Sequence, residues 1–196
     1  RSVDFPNFFV KQYEYFHYIE LCKVLRKNAI GLKARGVGFS EIAAAILING
    51  YITRPHFRGV VAAQQEGYVD DTLSKCWMQL SYLDDNTEDG MRKLRQVHNT
   101  AKWKRASSKN VDGVESGWMS EIEGITADKP NKIRGDRTDI LMYEESGSWP
   151  NWKKAFIQGD ALIDIQGQRF GIKLAWGTGG DSGPALEGVA AAFQDR

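Results

Sequence analysis

Short apolar runs alternate along this chain with helix-like stretches, and that alternation restricts the fold more than any other feature. Residues 29–32, 59–63, 139–143 and 170–176 read as strands, residues 8–26, 40–48 and 72–83 as helices, and 152–157 as a short helix. Strands separated by helices favour a mostly parallel sheet with helices on its faces. In Ile140-Leu141-Met142-Tyr143 the apolarity is continuous rather than alternating, which suits a central strand buried on both sides. The 40–48 helix is strongly specified, because Ser40 precedes a run of good helix formers, Glu41-Ile42-Ala43-Ala44-Ala45-Ile46-Leu47-Ile48. In 72–83, Leu73, Cys76, Trp77, Leu80 and Leu83 share one helical face.

The 196 residues suit one domain with a core of its own, and 42% hydrophobic content is ordinary for a globular chain. The longest apolar run, 42–48, is too short to span a bilayer, and no leader opens the chain. Two cysteines, Cys22 and Cys76, fit buried thiols in a reducing compartment better than a disulfide scaffold or zinc site. His17, His56 and His98 lack ligand spacing, and the six tryptophans read mainly as core. The chain opens on Arg1 rather than methionine, so it reads as a fragment of something longer.

The formal net charge is +1, from 26 basic and 25 acidic residues, so any contact with nucleic acid must be local. Residues 91–109 are the place for it, with seven lysines and arginines and no acid, after an acidic, turn-like stretch at 84–89. Composition there predicts a mobile connection spanning about 84–112. A solvated face is the commoner meaning of such a run. If it meets DNA, affinity falls steeply with salt and shows no sequence preference.

Two elements carry chemistry. The first is the loop Lys33-Ala34-Arg35-Gly36-Val37-Gly38-Phe39-Ser40, lying between an expected strand and a strong helix. A strand, a loop of inward N–H groups and a helix N-terminus make a phosphate cradle. Gly36 and Gly38 allow its unusual dihedrals, and Ser40 stands where a hydroxyl ligates Mg²⁺. Phe39 occupies the usual lysine position, leaving Lys33 or Arg35 to bring charge from the other end of the loop. The second element is the strand 140–143 ending in Glu144-Glu145. Hydrolysis of a phosphoanhydride needs an acid for the metal and a carboxylate for the attacking water. Successive strand residues face opposite ways, which assigns Glu144 to Mg²⁺ and Glu145 to water.

These residues resemble a known family. The loop is similar to the deviant Walker A of tailed-phage terminase large subunits, in which the lysine moves to the loop's start. Arg134-Gly135-Asp136-Arg137-Thr138-Asp139-Ile140-Leu141-Met142-Tyr143-Glu144-Glu145 resembles their segment leading into Walker B. Gly177-Thr178-Gly179-Gly180-Asp181 resembles the motif that couples hydrolysis to movement. The resemblance covers residues 5–193, the N-terminal ATPase half, and its motifs fall in the family's order.

The resemblance implies an α/β fold, a P-loop NTPase of the additional-strand catalytic-glutamate type, with ATP and Mg²⁺ as ligands. It implies that Lys33 and Arg35 hold phosphate, Ser40 and Glu144 bind Mg²⁺ (Glu144 through water), Glu145 is the base and Thr178 senses the γ-phosphate. Gln12 would read adenine, and Arg134 or Arg137 would be a finger acting on a neighbouring subunit. The implied activity is translocation of viral double-stranded DNA into a procapsid, in the cytoplasm of an infected bacterium. Partners would be a portal protein and a small terminase subunit, with a homo-oligomeric ring at work and a monomer in isolation. Two departures matter. Glu144 replaces the usual aspartate, and the clustered carboxylates of a nuclease half are missing, so weak hydrolysis and no cutting are expected. A helicase-like P-loop motor, or a nucleic-acid-binding or scaffold module with a decayed loop, are the competing readings.

Overall fold

The computed structural model describes residues 7–87, 118–127 and 137–178, together with the backbone of strands at 95–98, 102–106, 110–111 and 114–115. The elements are α1 (Val10–Val24), β1 (Ala29–Leu32), α2 (Phe39–Thr53), β2 (Arg58–Ala63), α3 (Glu66–Asn86), β3 (Arg95–His98) and β4 (Lys102–Ala106). They continue with β5 (Asn110–Val111), β6 (Val114–Glu115), β7 (Ser120–Thr126), β8 (Ile140–Tyr143) and a 3-10 turn at Ser146–Ser148. The described chain closes with α4 (Trp152–Gln158), α5 (Asp160–Ile163), β9 (Asp164–Ile165), β10 (Gln168–Arg169) and β11 (Ile172–Gly177).

Among the described residues one sheet holds seven strands in the order β1-β11-β8-β2-β7-β4-β3. The first five run parallel, and β4 and β3 extend the sheet antiparallel. This is the mostly parallel, helix-flanked sheet that the alternating runs imply. Every residue of β8 and β11 is buried, which is why both read as largely continuous apolar runs. Helix α2 packs on α3 and on β2 and β7. Its nine buried residues leave little of it in water, so it lacks a narrow apolar stripe.

Two stretches differ from the sequence reading. Helix α3 starts at Glu66 rather than residue 72, because Val69 lies one turn before Leu73 and extends the buried stripe through Cys76 and Leu80. It also runs through Asp84 and Asp85 to Asn86, where composition suggests a turn. Within the basic stretch, β3 and β4 pair as antiparallel strands where an irregular connection is expected. The β4–β7 register sets residue 102 opposite Glu123 and residue 104 opposite Glu121. The rest of that stretch lies outside the described residues.

The core is one cluster in which Leu47, Val61, Leu141 and Leu174 are fully buried. Cys22 and Cys76 are both buried free thiols. Trp149, Trp152 and Trp176 are buried as expected of core residues. One cation is sunk in this core. Lys173 Nζ donates to Phe156 O at 2.6 Å, pairs with Asp160 at 2.7 Å and lies 3.8 Å over the Phe156 ring, tying α4 and α5 to β11. Burial lowers its pKa, opposed by Asp160.

Candidate functional site

In open parallel sheets, ligands gather where strands end. Here β1, β11 and β8 end side by side, and Lys33 N donates to Gly177 O at 3.0 Å as the loop leaves the ladder. The loop turns through Gly36 (φ +80°) and Gly38 (φ +70°). The left-handed backbone at Gly38 favours glycine, and a Cβ there would stand 2.5 Å from Gln12 Nε2 and displace that amide. Helix α2 follows at once, with Ser40 in its first turn.

Phe39 has a structural explanation. Its buried ring packs edge-on to Tyr15 at 4.1 Å and against Trp176 at 5.5 Å, so this position faces the core. Lys33 fills the electrostatic gap. Its side chain is only 10% exposed and its Nζ pairs with Glu145 Oε1 at 2.5 Å. Arg35, by contrast, is exposed.

The two carboxylates take different partners. Glu144 Oε1 accepts from Ser40 Oγ at 2.9 Å, and Oε2 accepts from Trp176 Nε1. Its backbone is fixed from both sides, with Glu144 N donating to Ala62 O at 2.9 Å and Trp149 Nε1 donating to Glu144 O at 3.0 Å. Burial pushes the Glu144 carboxyl above the usual range, against the Lys33 charge and the Ser40 hydrogen bond. Glu145 Oε1 takes Lys33, while Oε2 faces Thr178 N at 3.3 Å and Thr178 Oγ1 at 3.4 Å. Burial raises this carboxyl too, but the hydrogen bond and charge of Lys33, with Thr178, outweigh it and the net shift is downward. The side chains part because Glu145 is left-handed (φ 49°, ψ 42°), not because an extended strand alternates.

Lys33, Ser40, Glu144, Glu145 and Thr178 therefore converge from three strand ends. Beside them Lys33, Ala34, Val37 and Phe39 line an open groove of about 360 Å³, with Gln12 on its other wall. Gln12 clamps this wall, donating from Nε2 to Val37 O at 3.2 Å and accepting from Phe9 N at 3.0 Å. Arg137 is elsewhere, exposed beside the start of β8 at the opposite end of the sheet. Arg134 and residues 179–181 lie outside the described residues.

Sequence reasoning missed Trp176. An indole N–H near the end of a buried strand must find an acceptor, and carboxylates close another strand of the same apolar kind; that was the available signal.

A hydroxyl and a carboxylate in contact at the start of a 15-residue helix form a hard oxygen donor set, as Mg²⁺ requires. The same helix start, with Lys33, suits a polyphosphate.

No protein-family model matches the chain, and no curated protein matches it significantly. Solved structures do. The ATPase domain of the Thermus phage P74-26 large terminase aligns with TM-score 0.61 at 18% identity, over 82% of this chain and 62% of that one. The HK97 bacteriophage large terminase aligns with TM-score 0.63 at 13% identity, over 100% and 36% respectively. The large terminase of a thermophilic bacteriophage, in complex with ADP, gives 0.60 at 12%, over 88% and 39%. The chain thus spans less than two thirds of each of these. Its fold is that of these phage large-terminase structures, a mostly parallel sheet flanked by helices, with β11 lying between the loop strand and the acidic strand.

Proposed function

We propose that this chain is an ATPase module that powers movement of double-stranded DNA into a viral procapsid, as the ATPase half of a terminase large subunit. One observation carries the reading: Lys33 and Ser40, from one loop, each contact one of two adjacent carboxylates at the joined ends of three parallel strands. The ADP complex of the thermophilic phage protein supports a nucleotide as the ligand class.

In this reading Lys33, with Arg35, holds phosphate oxygens, and Gln12 borders the base. Ser40 and Glu144 would hold Mg²⁺, Glu144 through water, and the ion would supply charge neutralisation to the phosphates. Glu145 orients the attacking water and accepts its proton, while Thr178 holds the second carboxylate oxygen. Lys33 and Glu145 neutralise each other. An arriving phosphate competes for Lys33 and leaves Glu145, still steered by Thr178, free to take water. Of the two candidate fingers, Arg134 is assigned to a neighbouring subunit's site, which needs a ring, because Arg137 lines a different groove. DNA, a portal protein and a small terminase subunit are the proposed partners, and the infected bacterial cytoplasm the proposed location. The decayed-loop alternative loses its main support, since Phe39 serves the core.

The test is thermal melting with and without Mg-ATP. Ligand at 100 times Kd stabilises by about 2.7 kcal/mol, which for this chain length is a rise of about 5–10 °C. No rise at millimolar Mg-ATP defeats the proposal. If the rise is seen, Glu145→Gln should retain it and lose turnover.

A further inference from the structure

At the end of the sheet opposite the carboxylates, the strand starts enclose a second groove of about 1140 Å³. Four cations line it: Lys23 and Arg26 at the end of α1, Arg137 before β8, and Arg169 on the β9–β10 hairpin. Its one carboxylate, Asp139, is already taken, with Oδ1 accepting from Arg54 Nη2 at 2.6 Å and Oδ2 from Arg58 N at 2.9 Å. Lys23 pairs with Glu20 and Arg169 with Asp160. Among the described residues, Arg26 and Arg137 have no ion pair, and both are exposed. Uncompensated positive charge therefore faces a groove too large for a single phosphate.

Turns and a helix end shape its rim. Five non-glycine residues among those described have positive φ, and three of them line this groove: Arg26 (φ 53°), His56 (φ 56°) and Gln166 (φ 52°). Two of the three have a local cause: Arg26 is the left-handed cap of α1, with Arg26 N donating to Lys23 O at 3.1 Å and Lys27 N to Cys22 O at 2.9 Å, and Gln166 with Gly167 makes the two-residue β9–β10 turn. Arg169 also ties the two walls together, with Nη1 donating to Arg26 O at 3.0 Å. Phe170, 42% exposed, adds an open aromatic ring to the lining.

We infer that this groove binds the phosphodiester backbone of nucleic acid, on the side of the sheet away from the nucleotide. Several arginines spread along an open, acid-poor channel match a repeating phosphate chain, and backbone contacts of this kind are sequence-independent. The inference locates nucleic acid within the proposed motor but stands on its own observations, so it can fail separately.

The experiment measures binding of a fluorescent duplex of about 30 bp to the full chain by anisotropy, over a salt series. Arg26→Glu/Arg137→Glu should weaken binding about 10-fold or more at low salt and make the log K against log[salt] slope shallower by about 2, one per lost contact. Two charge-matched controls, Lys153→Glu/Lys154→Glu and Arg92→Glu/Lys93→Glu, should change affinity far less. Circular dichroism and melting confirm that each variant is folded. Equal losses in all three variants, loss only in the Arg92/Lys93 variant, or no duplex binding by the wild type overturns the inference. So does competition by polyglutamate as effective as that by unlabelled duplex. A wild type that binds duplex but gives no melting shift with Mg-ATP would defeat the proposed function and leave the groove standing.

Discussion

Glu144 and Glu145 are consecutive, yet their surroundings drive their acidities apart, and stability should record it. Glu144 has a raised pKa, so its ionised form costs stability above the folded pKa, and the cost fades as pH falls towards the unfolded value near about 4.3. Glu145 has a lowered pKa, so it adds stability above about 4.3 that is lost as pH falls through its folded value. Glu144→Gln should therefore be more stable than the wild type at a pH of about 7.5, with the advantage shrinking towards about pH 4. Glu145→Gln should be less stable at that same neutral pH, by about 1–3 kcal/mol for a lost charged hydrogen bond, and converge with the wild type only at acid pH. Urea titrations from about pH 3.5 to about pH 8 decide it, and shifts of one sign in both variants would contradict the assignment. Trp176 belongs to the same account. Trp176→Phe removes the indole donor from a buried carboxylate and should cost about 1–3 kcal/mol in the same urea titrations. An unchanged midpoint would mean that the indole hydrogen bond adds nothing.

Elements differed in how plainly the sequence announced them. Strands β1, β2 and β8 and helix α2 were legible because continuous apolarity and helix-forming runs are local signals. The loop was legible because Gly36 and Gly38 punctuate it, and Gly38→Ala should show how strictly: a left-handed alanine costs about 1–2 kcal/mol, and its Cβ would collide with Gln12 Nε2. We expect a melting temperature lower by about 2–8 °C; an unchanged one would show that the Gln12 clamp yields freely. Strands β3 and β4 were obscured by charge. Gln96-Val97-His98 and Lys102-Trp103-Lys104 alternate with the two-residue period of a strand, but seven cations in 91–109 dominate the composition. The left-handed turn at Glu145 was illegible in principle, since glutamate carries no preference for it and the surrounding contacts impose it. Likewise no local signal places β11 between β1 and β8, because strand order is settled by packing across the whole chain.

At the scale of the molecule, the near-zero net charge conceals two poles: paired carboxylates with a lysine at the strand ends, and unpaired arginines at the strand starts. The five parallel strands separate these poles, and β11 is inserted between β1 and β8 although it is the last of them in sequence. That order has a consequence for synthesis. Chains emerge from the ribosome N-terminus first, so β1 and β8 exist before the strand that joins them. Each then presents an unsatisfied parallel edge, a ready template for wrong pairing. A chain stopped at Gly171 should expose both edges and aggregate without tertiary near-ultraviolet dichroism, and a soluble, cooperatively melting product would refute this. Lys33 follows β1 and Glu145 follows β8, so their contact spans the place that β11 fills, and the candidate site depends on a strand that contributes neither of them.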